Sequence, residues 1–389
     1  AGLAAAGVGA AIGLAAERAA FRRRRDPDGV DYTALRTPGT EVIADDGTVL
    51  HVEVDEPDPP ADGGTAPGGG KGSRTGNGGR GNGGRGRGGR GPEATPTLVF
   101  SHGYALSLDS WYYQREALRG RFRLVFWDQR GHGRSGEGPD GSATIDQLGS
   151  DLRAVLRAVA PDGPLVLIGH SMGGMTVMSL AEREPELFRD RVLGVALVST
   201  SAGGLADVDF GIPGLGSLVR TVGPPTLRVL TRTPKLVAQG RKLGSDLETF
   251  LVGRYSYASP VPPSLVRFTA EMIAATRLNV ISDFLPAFSE HDKREALAAL
   301  DGIEMLVIVG DSDLLTPADH SEEIVHRLPA AEHVVVRRAG HLLMLEHPDV
   351  LTGHLVELVE RAMRAVPQRP GRVRRTVTPL RRKHRDGAA

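Results

Sequence analysis

Gly169-His170-Ser171-Met172-Gly173-Gly174 lies between an apolar run, LVLI, and a helix-like stretch, MTVMSLAERE. Glycines around a serine at a strand-to-helix junction let the chain make a tight, strained turn that raises the hydroxyl above a sheet. The helix that follows aims its N-terminal N–H groups and positive dipole end at the same place. This is the local setting of a covalent nucleophile. The pentapeptide alone also fits an ordinary Gly-rich turn, and it is the strand and helix on either side that favour the nucleophile.

A serine hydroxyl at its ordinary pKa attacks poorly and needs a base. Of the twelve histidines, His341 stands directly after the run VVV, in RRAGHLLMLEHPD. A loop there begins at the carboxyl end of a strand, where ligand sites of open α/β sheets lie. His347 is read as starting the last helix with Pro348, and His170 as pointing away from the serine. An acid that orients the base should follow another strand. VIVGDSDLLTP offers Asp311 and Asp313. Either can orient the imidazole, and the other then caps the turn.

These residues need a scaffold that brings several strand ends together. TLVFSHG, RLVFWDQRGHGRS, LVLIGHSMGG, RVLGVALVSTS, MLVIVGDSD and HVVVRRAGH are short apolar runs, each ending at polar residues or glycine. Helical stretches separate most of them. Across Asp146–Ala160, Leu148, Leu152, Val155, Leu156 and Val159 recur at three- and four-residue steps. Buried strands alternating with helices predict a mainly parallel sheet covered on both faces. Before them, TEVIADD and TVLHVEVDE read as two strands with Gly47 at the turn, the second half-buried by its alternation His51, Val52, Glu53, Val54, Asp55.

Composition bounds the rest. The chain has 389 residues, no cysteine and no formal net charge. Disulfides, thiolate nucleophiles and Cys-ligated metals are excluded, and no other cluster has convincing metal-ligand spacing, so neither metal nor cofactor is expected. Residues 1–36 begin with the apolar AGLAAAGVGAAIGLAA and carry Arg22–Arg25. Residues 37–56 and 97–202 form the first part of a core. Residues 57–96, rich in Gly, Arg and Pro, bury too little to offset their ordering entropy and are expected to be disordered. Residues 203–298, with scattered prolines and the aromatics Phe250, Tyr255, Tyr257, Phe268, Phe284 and Phe288, read as a helical insertion. Residues 299–365 complete the core, with a final amphipathic helix over 353–365. Residues 366–389 are a basic tail with eight Lys or Arg and one Asp.

The elbow, the Asp loop and the late Gly-His resemble the α/β-hydrolase superfamily, in its serine esterase and cofactor-free haloperoxidase-like branch. Ser101-His102-Gly103-Tyr104 with Trp111 resembles the HGx…W oxyanion loop of that branch. Asp128-Gln129-Arg130-Gly131-His132-Gly133-Arg134-Ser135 resembles its D-x-R-G-x-G-x-S turn, which is read as structural. The resemblance covers roughly residues 40–56 and 97–365. It implies the α/β-hydrolase fold: a mostly parallel sheet flanked by helices, with residues 203–298 as a cap. It implies Ser171 as nucleophile, His341 as base and Asp313 as orienting acid, since the family's acid stands four residues before a Pro, here Pro317. It implies an oxyanion hole from the N–H groups of Tyr104 and Met172. It places the root of the Gly/Arg-rich insert at the end of the sheet opposite the nucleophile.

The expected activity is hydrolysis of a carboxylic ester, or a related acyl bond, of a lipophilic small molecule through an acyl-enzyme. The same residues also serve lactonases, acyltransferases, perhydrolases and carbon–carbon bond hydrolases. A reading from another class is RNA binding or scaffolding through GGRGNGGRGRGGRG. That segment has no Phe or Tyr to stack on bases, so nucleic acid is not the expected partner. The basic segments leave two alternatives, attachment to an anionic membrane surface or solvated tails. A cytoplasmic or a membrane-associated location follows accordingly. Oligomeric state is open.

Overall fold

A computed structural model describes residues 29–59, 95–205, 208 and 252–365. The expected N-terminal apolar segment, the Gly/Arg-rich insert, the basic tail and Phe250 lie outside the described residues. No described helix is long and apolar enough to cross a membrane.

The elements run β1 (Thr40–Ile43), β2 (Val49–Asp55), β3 (Thr97–Ser101), α1 (Tyr112–Leu118), β4 (Arg123–Trp127), α2 (Ile145–Val159), β5 (Leu165–His170), α3 (Met172–Arg183), α4 (Pro185–Arg191) and β6 (Val192–Val198). They continue with α5 (Pro263–Ala275), α6 (Leu278–Glu290), β7 (Glu304–Gly310), α7 (Ala318–Arg327), β8 (Glu332–Val336), α8 (Leu343–Glu346) and α9 (Pro348–Ala365). The strands form one eight-stranded sheet in the order β1-β2-β4-β3-β5-β6-β7-β8. From β4 to β8 every pairing is parallel, and β2 runs antiparallel to both of its neighbours.

Alternation along the strands builds two apolar layers. Phe100, Phe126, Ile168, Val198 and Ile308 face one side, with Leu355 and Leu358 of α9. Val99, Val125, Leu167, Leu197 and Val307 face the other, with Leu152 and Leu156 of α2 and Met178 of α3. A sheet buried on both faces explains why these strands read as continuous apolar runs. It also corrects the half-buried reading of β2. His51 and Glu53 are buried, with Arg115 of α1, Arg134 and Thr37 N–H all turned onto Glu53. The helix expected over Asp146–Ala160 starts one residue earlier, where the Thr144 hydroxyl accepts from Gln147 N–H (3.1 Å) and caps it. The last helix starts at Pro348 rather than 353, since Pro suits a first helical position.

Asp55 pairs with Leu124, and Thr97 with Arg123, at the amino ends of the parallel strands. Pro57 bridges to Gly120 beside them. The described residues on both sides of the Gly/Arg-rich insert therefore sit at the end of the sheet opposite Ser171, as expected. Between β6 and β7 the described part of the insertion contributes α5 and α6.

Candidate active site

β5 ends at His170 and α3 begins at Met172, so Ser171 alone makes the turn. Its backbone stands at φ 50° and ψ −118°, a region that costs a non-glycine residue of order 1–3 kcal/mol. The surroundings hold it there. Ser171 N–H donates to the Val198 carbonyl (3.0 Å), and its own carbonyl accepts from Gly174 N–H (2.9 Å) and the Thr200 hydroxyl (2.7 Å). Gly173 is required by close approach, because a Cβ there would strike the Ser101 carbonyl of β3.

His341 is buried in the loop after β8. Its Nδ1 lies 2.8 Å from Asp313 Oδ2. Asp313, in the loop after β7, also accepts from Leu315 N–H (2.9 Å), Thr316 N–H (3.0 Å) and the Thr316 hydroxyl (2.9 Å). Burial alone would raise its pKa, yet the nearby His341 and these donors hold it below the ordinary carboxylate range. With Nδ1 turned to a carboxylate, His341 keeps Nε2 for chemistry. Asp311 is exposed and does different work. Its Oδ1 accepts from Arg338 N–H (2.7 Å) and the Ser312 hydroxyl (2.8 Å), capping the turn. The structure thus brings Asp313, and not Asp311, to His341.

Ser171 and His341 line one cavity of about 450 Å³. No hydrogen bond joins the Ser171 hydroxyl to His341 among the described residues, and such bonds are often loose before substrate arrives. The loop after β3 closes the other side. A Cβ on Gly103 would lie 3.3 Å from Ser171 Cβ, so this loop packs directly on the elbow. Tyr104, next in sequence, lines the cavity and donates its hydroxyl to the Ile281 carbonyl of α6 (2.5 Å). Met172 is the first residue of α3, so its N–H has no partner within the helix. Tyr104 and Met172, whose N–H groups are expected to bind an oxyanion, thus lie in the loop that packs on the elbow and directly after the serine. Most of the remaining lining is apolar, including Leu106, Met175, Ile273, Leu285 and Phe288.

Three residues matter here beyond those given a catalytic role from the sequence; one of them, His170, is read there as pointing away from the serine, yet it lines the same cavity. His170 is fully buried and its Nε2 lies 3.0 Å from the His341 carbonyl, an acceptor, so Nε2 carries the proton. Burial and the neighbouring His341 push its pKa well below the usual value. Thr316 steadies Asp313, and Glu346 holds the His341 loop. Thr316 lies only three residues from Asp313, whereas His170 and Glu346 act through backbone groups, which no spacing rule singles out.

The Asp128–Ser135 turn is held by buried contacts both within itself and to neighbouring elements. Asp128 accepts from Leu108 N–H (2.8 Å) and Arg134 N–H (2.9 Å). Arg130 forms a two-pronged pair with Asp151 of α2 (2.6 and 2.7 Å) and reaches Asp46 (2.7 Å).

Known proteins share this architecture. The thermophilic esterase of Thermogutta terrifontis superposes with a TM-score of 0.59 at 21% identity, over 84% of this chain and 100% of that one. In sequence, 3-oxoadipate enol-lactonase 1 of Acinetobacter baylyi is 26% identical over 66% of this chain and 86% of its own length. The sn-1-specific diacylglycerol lipase ABHD11 of Mus musculus is 26% identical over 65% of this chain and 78% of its own. The alpha/beta hydrolase fold family matches residues 96–348, from β3 to the start of α9. With the sheet order, the elbow and the ordered loops Ser171, Asp313 and His341 all inside that span, the chain belongs to the alpha/beta hydrolase fold family.

Proposed function

We propose that the protein is a serine hydrolase that cleaves a carboxylic ester, or a related acyl bond, of a lipophilic small molecule through an acyl-enzyme on Ser171. The observation that carries this reading is a serine held at positive φ, facing an apolar cavity shared with a histidine that is hydrogen-bonded to a buried carboxylate. His341 Nε2 takes the proton from the Ser171 hydroxyl as its oxygen attacks the substrate carbonyl carbon. The N–H groups of Tyr104 and Met172 bind the oxyanion that forms. Collapse of the tetrahedral intermediate breaks the acyl–oxygen bond, and the proton on His341 passes to the departing alcohol. Water then attacks the acyl-enzyme, again through His341, and frees the acid and Ser171. Asp313 holds the imidazole in the tautomer this needs. α5 and α6 act as a cap: Ile273, Leu285, Pro286 and Phe288 supply much of the apolar wall.

A fluorophosphonate should label wild-type protein at Ser171, and Ser171→Ala should remove labelling while keeping the fold. A series of p-nitrophenyl esters should show medium-chain acyl groups preferred over acetate. Labelling of Ser171→Ala at full stoichiometry on another serine would overturn the assignment.

A further inference from the structure

Three consecutive backbone positions around His341 are each held by a partner from another part of the chain. Gly340 N–H donates to Glu346 Oε2 (2.6 Å). The His341 carbonyl accepts from His170 Nε2 (3.0 Å). Leu342 N–H donates to the Ser256 carbonyl (2.9 Å). Glu346 uses its second oxygen as well: Oε1 accepts from Ala258 N–H (2.8 Å), Ser259 N–H (2.5 Å) and the Ser259 hydroxyl (2.7 Å). One carboxylate therefore bridges the base loop and residues 256–259, the segment that leads into α5. The two backbones also touch, since a Cβ on Gly340 would lie 2.7 Å from the Ser256 carbonyl oxygen and 2.9 Å from Tyr257 Cα. Ser256 and Ile273 of α5 line the cavity beside His341.

We propose that Glu346 is a positioning residue for His341, which locks the base loop to segment 256–259 so that cap and base move as one body. The proposal rests on the reading of His341 as general base. An ionised carboxylate only accepts hydrogen bonds, at about four lone-pair sites. Here four donors from two separate segments converge on it, three at Oε1 and one at Oε2. The base must reach the Ser171 hydroxyl and then the leaving oxygen, and a displacement of about 1 Å can cost roughly 10²-fold in rate. Packing alone does not fix such a position. A charged acceptor facing N–H groups of both segments does, because charge-assisted bonds are shorter and stronger than neutral ones.

Glu346→Gln in the full chain tests this. The amide keeps the size but turns one acceptor into a donor, which must then face either Gly340 N–H or the N–H groups of Ala258 and Ser259. With p-nitrophenyl butyrate, kcat should fall about 10- to 100-fold while KM stays close to wild type. The midpoint of kcat/KM against pH should shift, and fluorophosphonate labelling of Ser171 should slow in parallel. Wild-type kcat and pH midpoint in a folded variant would overturn the proposal. So would a loss that only follows the folded fraction. Should Glu346→Gln not fold, Ser259→Ala carries the test, since it removes one bond and leaves the carboxylate charged. A smaller fall in kcat with the same direction of pH shift supports the proposal, and an unchanged kcat and midpoint rejects it. Failure of the wild-type protein to label at Ser171 would instead reject the nucleophile reading. Normal labelling with an indifferent Glu346→Gln rejects the role of Glu346 alone.

Discussion

Two sets of buried polar contacts flank the sheet, and they are built differently. In one, acids meet guanidinium groups: Asp151 and Asp46 pair with Arg130, Asp55 with Arg115, and Glu53 with both Arg115 and Arg134. In the other, Asp313 takes its hydrogen bonds from two backbone N–H groups, a hydroxyl and an imidazole, with no guanidinium among the described residues. A guanidinium keeps its charge at every accessible pH, so these ion pairs fix geometry, and the imidazole that joins them, His51 beside Glu53 (3.4 Å), lies away from the cavity. An imidazole can take a proton and return it. The second network also opens on the cavity through Ser171, whereas Arg130, Asp151 and Glu53 are buried away from it. Chemistry is available where a polar group is positioned by its neighbours yet not used up by them.

Exchanging an acid in each network for its amide should separate them. The largest effect is expected in the second. Asp313→Asn removes the acceptor that fixes the His341 tautomer, and kcat should fall about 10³- to 10⁴-fold with little change in stability. Asp311→Asn leaves His341 alone and should cost far less, through a looser turn at Arg338 N–H. Steady-state kinetics of the two variants decide this. A larger loss from Asp311→Asn would mean that the acid which serves the base in solution is not the one hydrogen-bonded to it here.

The second network was legible in the sequence because each member sits where an apolar run ends. Strand ends are marked by a change in residue type, and the fold lines those ends up side by side. Asp311 and Asp313 could not be separated by spacing, only by resemblance, because two residues apart both reach the same turn. The first network was mostly hidden. Asp151 occupies one step of a helix, where a carboxylate reads as a solvated face, yet it turns inward to Arg130. Glu53 sits on the polar face of β2, and Arg115, Arg134 and Thr37, from three separate parts of the chain, close over it. Glu346 escaped for another reason. It acts on backbone N–H groups, which every residue possesses, so no side-chain pattern announces it.

A smaller effect, of a different kind, is expected in the first network. Asp151→Asn leaves Arg130 buried beside a neutral amide, and breaking a buried pair costs about 3–5 kcal/mol. Asp46 stays as a partner and should keep the loss near the lower end of that range. Urea denaturation should show the drop as a lower midpoint at unchanged slope, while kcat per folded molecule stays at the wild-type value. A stable variant with depressed kcat would break the division between the two networks.

The remaining effect concerns protons, and it touches both. Burial lowers the pKa of His102 to about 3, of His132 to about 4 and of His291 to about 4, each from an ordinary value of 6.5. His170 is lowered as well. Between pH about 6.5 and 4 the unfolded chain binds protons at His102, His132 and His291 and the folded chain does not, and the lowered His170 adds in the same sense. Asp128 works in the opposite sense. Burial raises its pKa to about 6, so below that pH the folded state keeps a proton that the unfolded chain has shed. Four imidazoles outweigh one carboxyl, so the unfolded state binds more protons overall. Stability should therefore be present near pH 7 and be lost as pH falls through 6 and 5, by up to about 1.4 kcal/mol per pH unit for each net proton. Urea midpoints across that range measure it. His132 tells the networks apart, since its Nδ1 donates to the Arg130 carbonyl (2.8 Å) and its ring lies outside the cavity lining. His132→Phe should flatten the pH dependence by one proton and leave kcat unchanged. His170→Phe should flatten it equally but also lower kcat, because the His341 carbonyl then loses its donor. If both variants flatten the curve and neither touches kcat, His170 belongs with the fixed network and only Asp313 and Glu346 hold the base.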